Sequence, residues 1–424
     1  MRKRVALLLV LVILIGSGLT GTDTISATSA AENTWTTKAA LPISIDSAIG
    51  AATVNGKIYA MSLSFNYEYD PTTDKWTEKA SMPTPRANFA IAVYQNKIYV
   101  IGAYEYSCAN EVYDPATNTW EIKAPMPANR TYLSASVVGG KIHLFSWEGH
   151  DVYDVASDSW TAGKIPYAVI GKSVVVDNKI YVINWNITQI YDPKSDTWSF
   201  GAVMPIRLGS AAVCATTGMM APKRIYVIGG SPEFLYYTDV TQIYDPISDT
   251  WVLGEPMPTA RAGSTAASVD DRIYVIGGSI GMYSTSDVNE QYTPFGYGAA
   301  DPSYDGTPPE ITIISPENKI YHKTSIPIEF SVNEPVSWMQ YKLDNENVTE
   351  ISSNTTIAAL SLGSHNLTVY AIDDAGNVGV SQTIQFEVAE DPFPALVVAS
   401  VITVAVVGVG LLVYFKKRKH QPTV

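Results

Sequence analysis

Apolar residues in this chain fall in short runs closed by glycine or by small polar pairs. Lys223 to Gly230 (KRIYVIGG) and Arg272 to Gly278 (RIYVIGG) show the form most plainly. Runs of this length, rich in β-branched and aromatic residues, predict strands. The pattern is also periodic. A tyrosine and a tryptophan seven positions apart recur as Tyr69/Trp76, Tyr113/Trp120, Tyr153/Trp160, Tyr191/Trp198 and Tyr244/Trp251. A proline follows at another seven in Pro83, Pro127, Pro205 and Pro258, and at six in Pro166. A self-similar unit of roughly 40 residues that reads as four short strands predicts a propeller blade.

Each blade has a direction. Asn55-Gly56, Gln95-Asn96, Gly139-Gly140, Asp177-Asn178 and Asp270-Asp271 join the first two strands, and several are residues that tolerate positive φ in tight hairpins. Asp-Pro-x-Ser/Thr-Asp/Asn turns join the last two. In an up-and-down sheet these two sets share one face of the disc, and the 2–3 and 4–1 loops share the other. Trp35 has no blade before it, while the strands after Arg272 end at Ala299, where a tryptophan is due. The N-terminal strand within residues 31–40 is therefore expected to complete the last blade and leave no unpaired edge. Five full units and this composite predict six blades over residues 31–296.

These residues resemble the kelch repeat over about residues 35–295. The Gly-Gly doublet of that repeat is intact only at Gly229-Gly230 and Gly277-Gly278. Gly102-Ala103, Ser62-Leu63, Ser146-Trp147 and Asn184-Trp185 replace it elsewhere. In kelch domains an arginine shortly after the fourth-strand proline points towards the central opening. Arg86, Arg130 and Arg261 match that position and Arg207 approximates it. The resemblance thus implies a ring of up to four guanidiniums at one mouth, suited to bidentate binding of carboxylates. The competing reading makes each arginine a bridge between blades. Around them the 2–3 loops supply Phe65, Tyr104, Tyr106, Trp147, Trp185, Phe234, Tyr236, Tyr237 and Tyr283, the composition of a recognition surface.

Beyond the repeats the period changes. Residues 297–309 read as a linker. Residues 310–390 hold short alternating strands of a small β-sandwich, and Tyr370 to Asn377 (YAIDDAGN) resembles the late strand and turn of immunoglobulin-like surface modules. Residues 395–415 carry no charge and are long enough to cross a bilayer as a helix. The basic tail, 416–424, then sets the cytoplasmic side. At the other end, Met1 to Arg4 and the apolar run Val5 to Ile15 predict a signal peptide over residues 1–30. The expected chain is all-β apart from one transmembrane helix, with its propeller outside the cell.

Composition narrows the chemistry. The chain of 424 residues has a net charge of -13. Without the ionisable residues of the two ends, 21 basic residues face 40 acidic ones, a charge of -19. Nucleic acid is excluded as a partner, because phosphate neutralisation needs clustered Lys and Arg. Two cysteines, Cys108 and Cys214, cannot build a disulfide framework. No metal or cofactor is expected. His143 occupies a strand position that holds tyrosine elsewhere and is expected in the core. Sequons mark Asn129, Asn186, Asn347, Asn354 and Asn366 as glycan acceptors. The expected function is binding of an extracellular protein or an acidic glycan. A metal-independent ectoenzyme acting on sialic-acid-like sugars and a structural envelope component are the alternatives.

Overall fold

The computed structural model describes residues 31–45, 49–103, 107–130, 132–164, 171–233, 236–344, 348–373 and 377–390. The expected signal peptide, membrane helix and basic tail lie outside the described residues. Among those described, no helix is long and apolar enough to cross a membrane.

Six four-stranded sheets are built from the repeats. Blade 1 runs through Gly50–Val54, Lys57–Ser62, Phe65–Asp70 and Lys75–Glu78. Blade 2 runs through Ala90–Tyr94, Lys97–Ala103, Ser107–Asp114 and Thr119–Ile122. Blades 3, 4 and 5 begin at Ser134–Val138, Lys172–Val176 and Ala212–Ala215. Blade 6 takes Thr265–Val269, Arg272–Ile276 and Asn289–Thr293 from one end of the repeats and Thr34–Lys38 from the other. Trp35 stands opposite Tyr292 in that pairing. Each innermost strand touches those of the two adjacent blades, first to last included, so the ring is closed.

The Tyr/Trp repeat works as a clamp between blades. The tyrosine hydroxyl donates to an Asp or Asn five residues on, as in Tyr69 to Asp74 at 2.6 Å and Tyr113 to Asn118 at 2.7 Å. Both acceptors hold positive φ, 53° and 56°, which short polar side chains tolerate best after glycine. The same side-chain oxygen accepts a backbone N–H just beyond the previous blade's outer strand: Ala39 to Asp74 and Ala80 to Asn118, each at 2.8 Å. The tryptophan indole then donates to that residue's carbonyl, Trp76 to Ala39 at 2.8 Å and Trp120 to Ala80 at 2.9 Å. Across the closure the pieces come from opposite ends of the chain. Tyr292 donates to Asn33 at 2.6 Å, Asn33 accepts from the Glu255 amide at 2.7 Å, and Trp35 donates to the Glu255 carbonyl at 2.9 Å.

All five predicted hairpin turns hold positive φ at both central residues. The longer turn of blade 5 wraps its neighbour instead. Its Thr217, Met220 and Ala221 amides all donate to the buried carboxylate of Asp271. The stretch expected as a linker is partly docked on this face. Arg272 lies 4.2 Å over the Tyr297 ring, and Asp301 accepts from the Lys223 amide. Beyond it, a three-stranded and a six-stranded sheet enclose Ile326, Ile328, Leu367, Val369, Phe386 and Val388.

Candidate functional site

The face opposite the hairpins carries the irregular loops. Isolated bridges tie the 2–3 turns to the 4–1 connections there, Leu63 with Arg86, Trp185 with Leu208 and Ala262 with Ser279. Through the middle runs a channel of about 460 Å³ lined by the innermost strands of all six blades. Each of these strands is an edge of its own sheet, so unpaired backbone groups line the channel, a wet environment by necessity. At the loop face it opens into a cavity of about 370 Å³, rimmed by Asn88, Tyr132, Ser210 and Gly263. These four equivalent residues all hold positive φ, between 52° and 70°.

The arginine ring is not there. Arg86 and Arg261 are buried. Arg86 donates to Glu111 at 2.7 Å and to the Val100 carbonyl at 2.9 Å. Arg261 donates to Glu290 and to the Val275 carbonyl at 2.9 Å. Thr84 and Thr259 hydroxyls hold the other oxygen of each carboxylate. Half-buried Arg130 grips both oxygens of Asp151, at 2.8 and 3.2 Å. Burial lowers the pKa of Arg86 and Arg261, whereas the hydrogen bond to Asp151 raises that of Arg130. Arg207 is exposed, its guanidinium 4.3 Å above the Trp185 ring. Three of the four candidate arginines are thus struts pinning an inter-blade loop to the next blade's third strand. A sequence signal for this existed. Two residues before the clamp tyrosine stand Glu111, Asp151 and Glu290 in the blades whose arginine matches, and Tyr67, Gln189 and Gln242 in the others.

The aromatics divide. Trp147, Tyr236 and Tyr283 are exposed at 67%, 68% and 90%, and Trp185 at 37%. Tyr132, which sequence reasoning missed, adds 60% exposure at the cavity rim. Phe65 packs against the blade 1 core instead. Tyr104, Tyr106 and Phe234 lie outside the described residues.

Other candidates resolve by burial. His143 is in the core, as expected, 3.0 Å from His150, whose second nitrogen meets the Lys164 carbonyl at 3.0 Å. That chain is complete with both rings neutral, each donating from Nδ1. Burial pushes His143 down to about 3 and lowers His150. Cys214 is buried and its thiol pushed up to about 12, while Cys108 donates to Asn129 at 2.8 Å. Among the sequons, Asn129, Asn354 and Asn366 are exposed and Asn186 is half-buried; Asn347 lies outside the described residues. The group suited to a divalent cation among the described residues is Asp305, Glu334 and Asp373, with ligand oxygens within 4.8 Å of one another. It lies far in sequence from the propeller mouth.

Comparison with known families agrees with this geometry. The FKB95, Kelch-repeats domain family matches residues 27–204, and the Kelch motif family matches residues 260–294. This is a kelch-repeat protein. The kelch propeller is similar to the solved structure of YjhT, with a TM-score of 0.51 and 14% identity over 59% of this chain and 95% of that one. The Influenza virus NS1A-binding protein homolog of Mus musculus is 42% identical over 64 residues, 13% of this chain and 10% of that protein. Kelch repeat and BTB domain-containing protein 8 of Homo sapiens is 30% identical over 95 residues, 22% of this chain and 15% of that protein. The matched stretches are therefore a small part of these relatives.

Proposed function

We propose that this chain is a cell-surface interaction protein whose kelch propeller binds an extracellular protein through its loop face. One observation carries the reading: large aromatic side chains stand exposed in the 2–3 loops of that face, at Trp147, Tyr236 and Tyr283, and Tyr132 stands exposed at the channel mouth itself. Exposed aromatics around a cleft are the material of binding hot spots. The mouse relative is named for binding a viral protein, which favours a protein as the class of partner. An ectoenzyme reading for acidic sugars leaned on free arginines, and Arg86, Arg130 and Arg261 are already committed to Glu111, Asp151 and Glu290. The surface location rests on the leader-like first 30 residues and on the apolar stretch 395–415 with its basic tail. The sheets after residue 310 then serve as an immunoglobulin-like stalk.

The test is a panel of envelope proteins and glycans probed with the purified full chain. The Trp147→Ala, Tyr236→Ala, Tyr283→Ala triple variant is expected to lose the interaction. Lys57→Ala and Lys97→Ala, beside the hairpins of the opposite face, are expected to keep it. Equal binding by the triple variant would refute the loop-face assignment.

A further inference from the structure

Among the described residues, the channel mouth contains one charged side chain, and none of them answers it. Lys172 opens the innermost strand of blade 4. The matching positions in the other blades hold Gly50, Ala90, Ser134, Ala212 and Thr265, whose short side chains leave the space clear. Lys172 lines both the mouth cavity and the channel beneath it, and among the described residues of the two linings the other ionisable groups are Tyr132 and Cys214. Its ammonium makes no hydrogen bond or ion pair with any described residue. The segment before it, residues 165–170, contains no acid.

The surroundings are polar but neutral. Asn88, Asn184 and Ser210 line the same cavity. Ser264 lies at its wall and Ser134 lines the channel beneath, both buried with hydroxyls that have no partner among the described residues. Tyr132 holds φ 53° at the rim, as its counterparts Asn88, Ser210 and Gly263 hold positive φ in their blades. Lys172 is open to water within the cavity yet enclosed by the ring of strands, and that burial lowers its pKa. A cation facing this cavity attracts an anion. One positive charge with neutral donors matches one negative charge. A dianion would bring a second charge into a body of -19 with nothing to balance it.

We infer that the channel mouth is a carboxylate-binding site in which Lys172 takes the charge and Asn88, Asn184 and Ser210 supply hydrogen bonds. The inference rests on the loop face being the binding face. It extends that reading by naming the chemistry at the centre, with the exposed aromatics as the surrounding rim. The carboxylate comes from an acidic side chain of the partner or from a free small acid.

The test footprints the wild-type full chain in detergent with trinitrobenzenesulfonate, reading modification at Lys172 by peptide mass spectrometry. Probes are an end-capped Gly-Glu-Gly peptide, butyrate, N-acetylneuraminate and, as control, chloride. A carboxylate is expected to slow labelling of Lys172 about tenfold or more, as a charged hydrogen-bond partner should, and to leave Lys57 and Lys97 unchanged. Calorimetric affinity for the protecting probe should drop by a similar factor in Lys172→Met and recover in part in Lys172→Arg. Protection by the peptide alone assigns the carboxylate to a partner side chain; protection by butyrate or N-acetylneuraminate assigns it to a free acid. Labelling at the chloride rate with every probe overturns the inference, even if the aromatic rim still binds a protein. Because the footprint is read on wild type, a misfolded variant cannot obscure it.

Discussion

At the scale of single residues, burial decides what each charge does. Arg86 and Glu111 are both almost wholly enclosed, so removing one leaves the other without a counter-charge. Arg86→Met should cost about 3–5 kcal/mol in chemical denaturation. The double variant Arg86→Met, Glu111→Leu should lose less, because no unpaired ion remains. Equal losses would mean that the methylene packing, not the ion pair, matters. The neutral pair His143 and His150 sets a pH dependence. Both groups are held below the ordinary 6.5, so the unfolded chain binds protons that the folded one refuses. Their contribution is complete above pH 6.5 and is lost as pH falls towards about 3, the His143 value. Denaturation midpoints measured across this range should decline more steeply for wild type than for His143→Tyr, which restores the residue other blades carry. The tyrosine and tryptophan roles were legible in the sequence because their spacing repeats. The arginine roles were not, since a guanidinium reads the same whether it faces water or a glutamate 25 residues on.

At the scale of elements, the clamp joins each blade to the one before it. The closing blade alone depends on residues from both ends of the repeats. Trp35 is half-buried, its ring 5.1 Å from that of Tyr292, so Trp35→Ala should cost up to about 3 kcal/mol, the lower end for a buried aromatic truncation. Trp120→Ala makes the internal comparison. Deleting residues 31–40 should expose the third strand of blade 6 as a free edge and promote association, which light scattering would detect. A monomeric truncation melting as wild type does would show that the ring holds without its closing strand. The hairpin turns were readable from Asn, Asp and Gly pairs alone. The blade 5 turn was not, because what fixes it is the Asp271 carboxylate some 50 residues away.

At the scale of the molecule, an acidic body presents the Lys172 cation at the mouth of the channel on its loop face. Long-range repulsion of anions by that body is screened within about 10 Å at 0.1 M salt. Added salt therefore weakens both the repulsion at a distance and the attraction to Lys172 close by. Topology gives a further prediction. If residues 1–30 direct export and 395–415 anchor the chain, protease added to intact cells should remove the propeller and leave a tag after Val424 protected. Digestion of that tag would refute the orientation.

The sequence by itself determined the blade count, the closing strand, the hairpin turns and the direction of the faces. Each of these is a short-range or repeated feature, set by alternation, by positive-φ residues and by a fixed spacing between aromatic rings. Tertiary structure alone decided which charges are free. Three arginines that looked like ligands meet acids brought to them by the pairing of strands. Lys172, which no motif singled out, meets no acid among the described residues, because the ring places only short side chains at its level in the other five blades. Charge pairing depends on which residues converge in space, and a linear pattern records convergence only where it repeats.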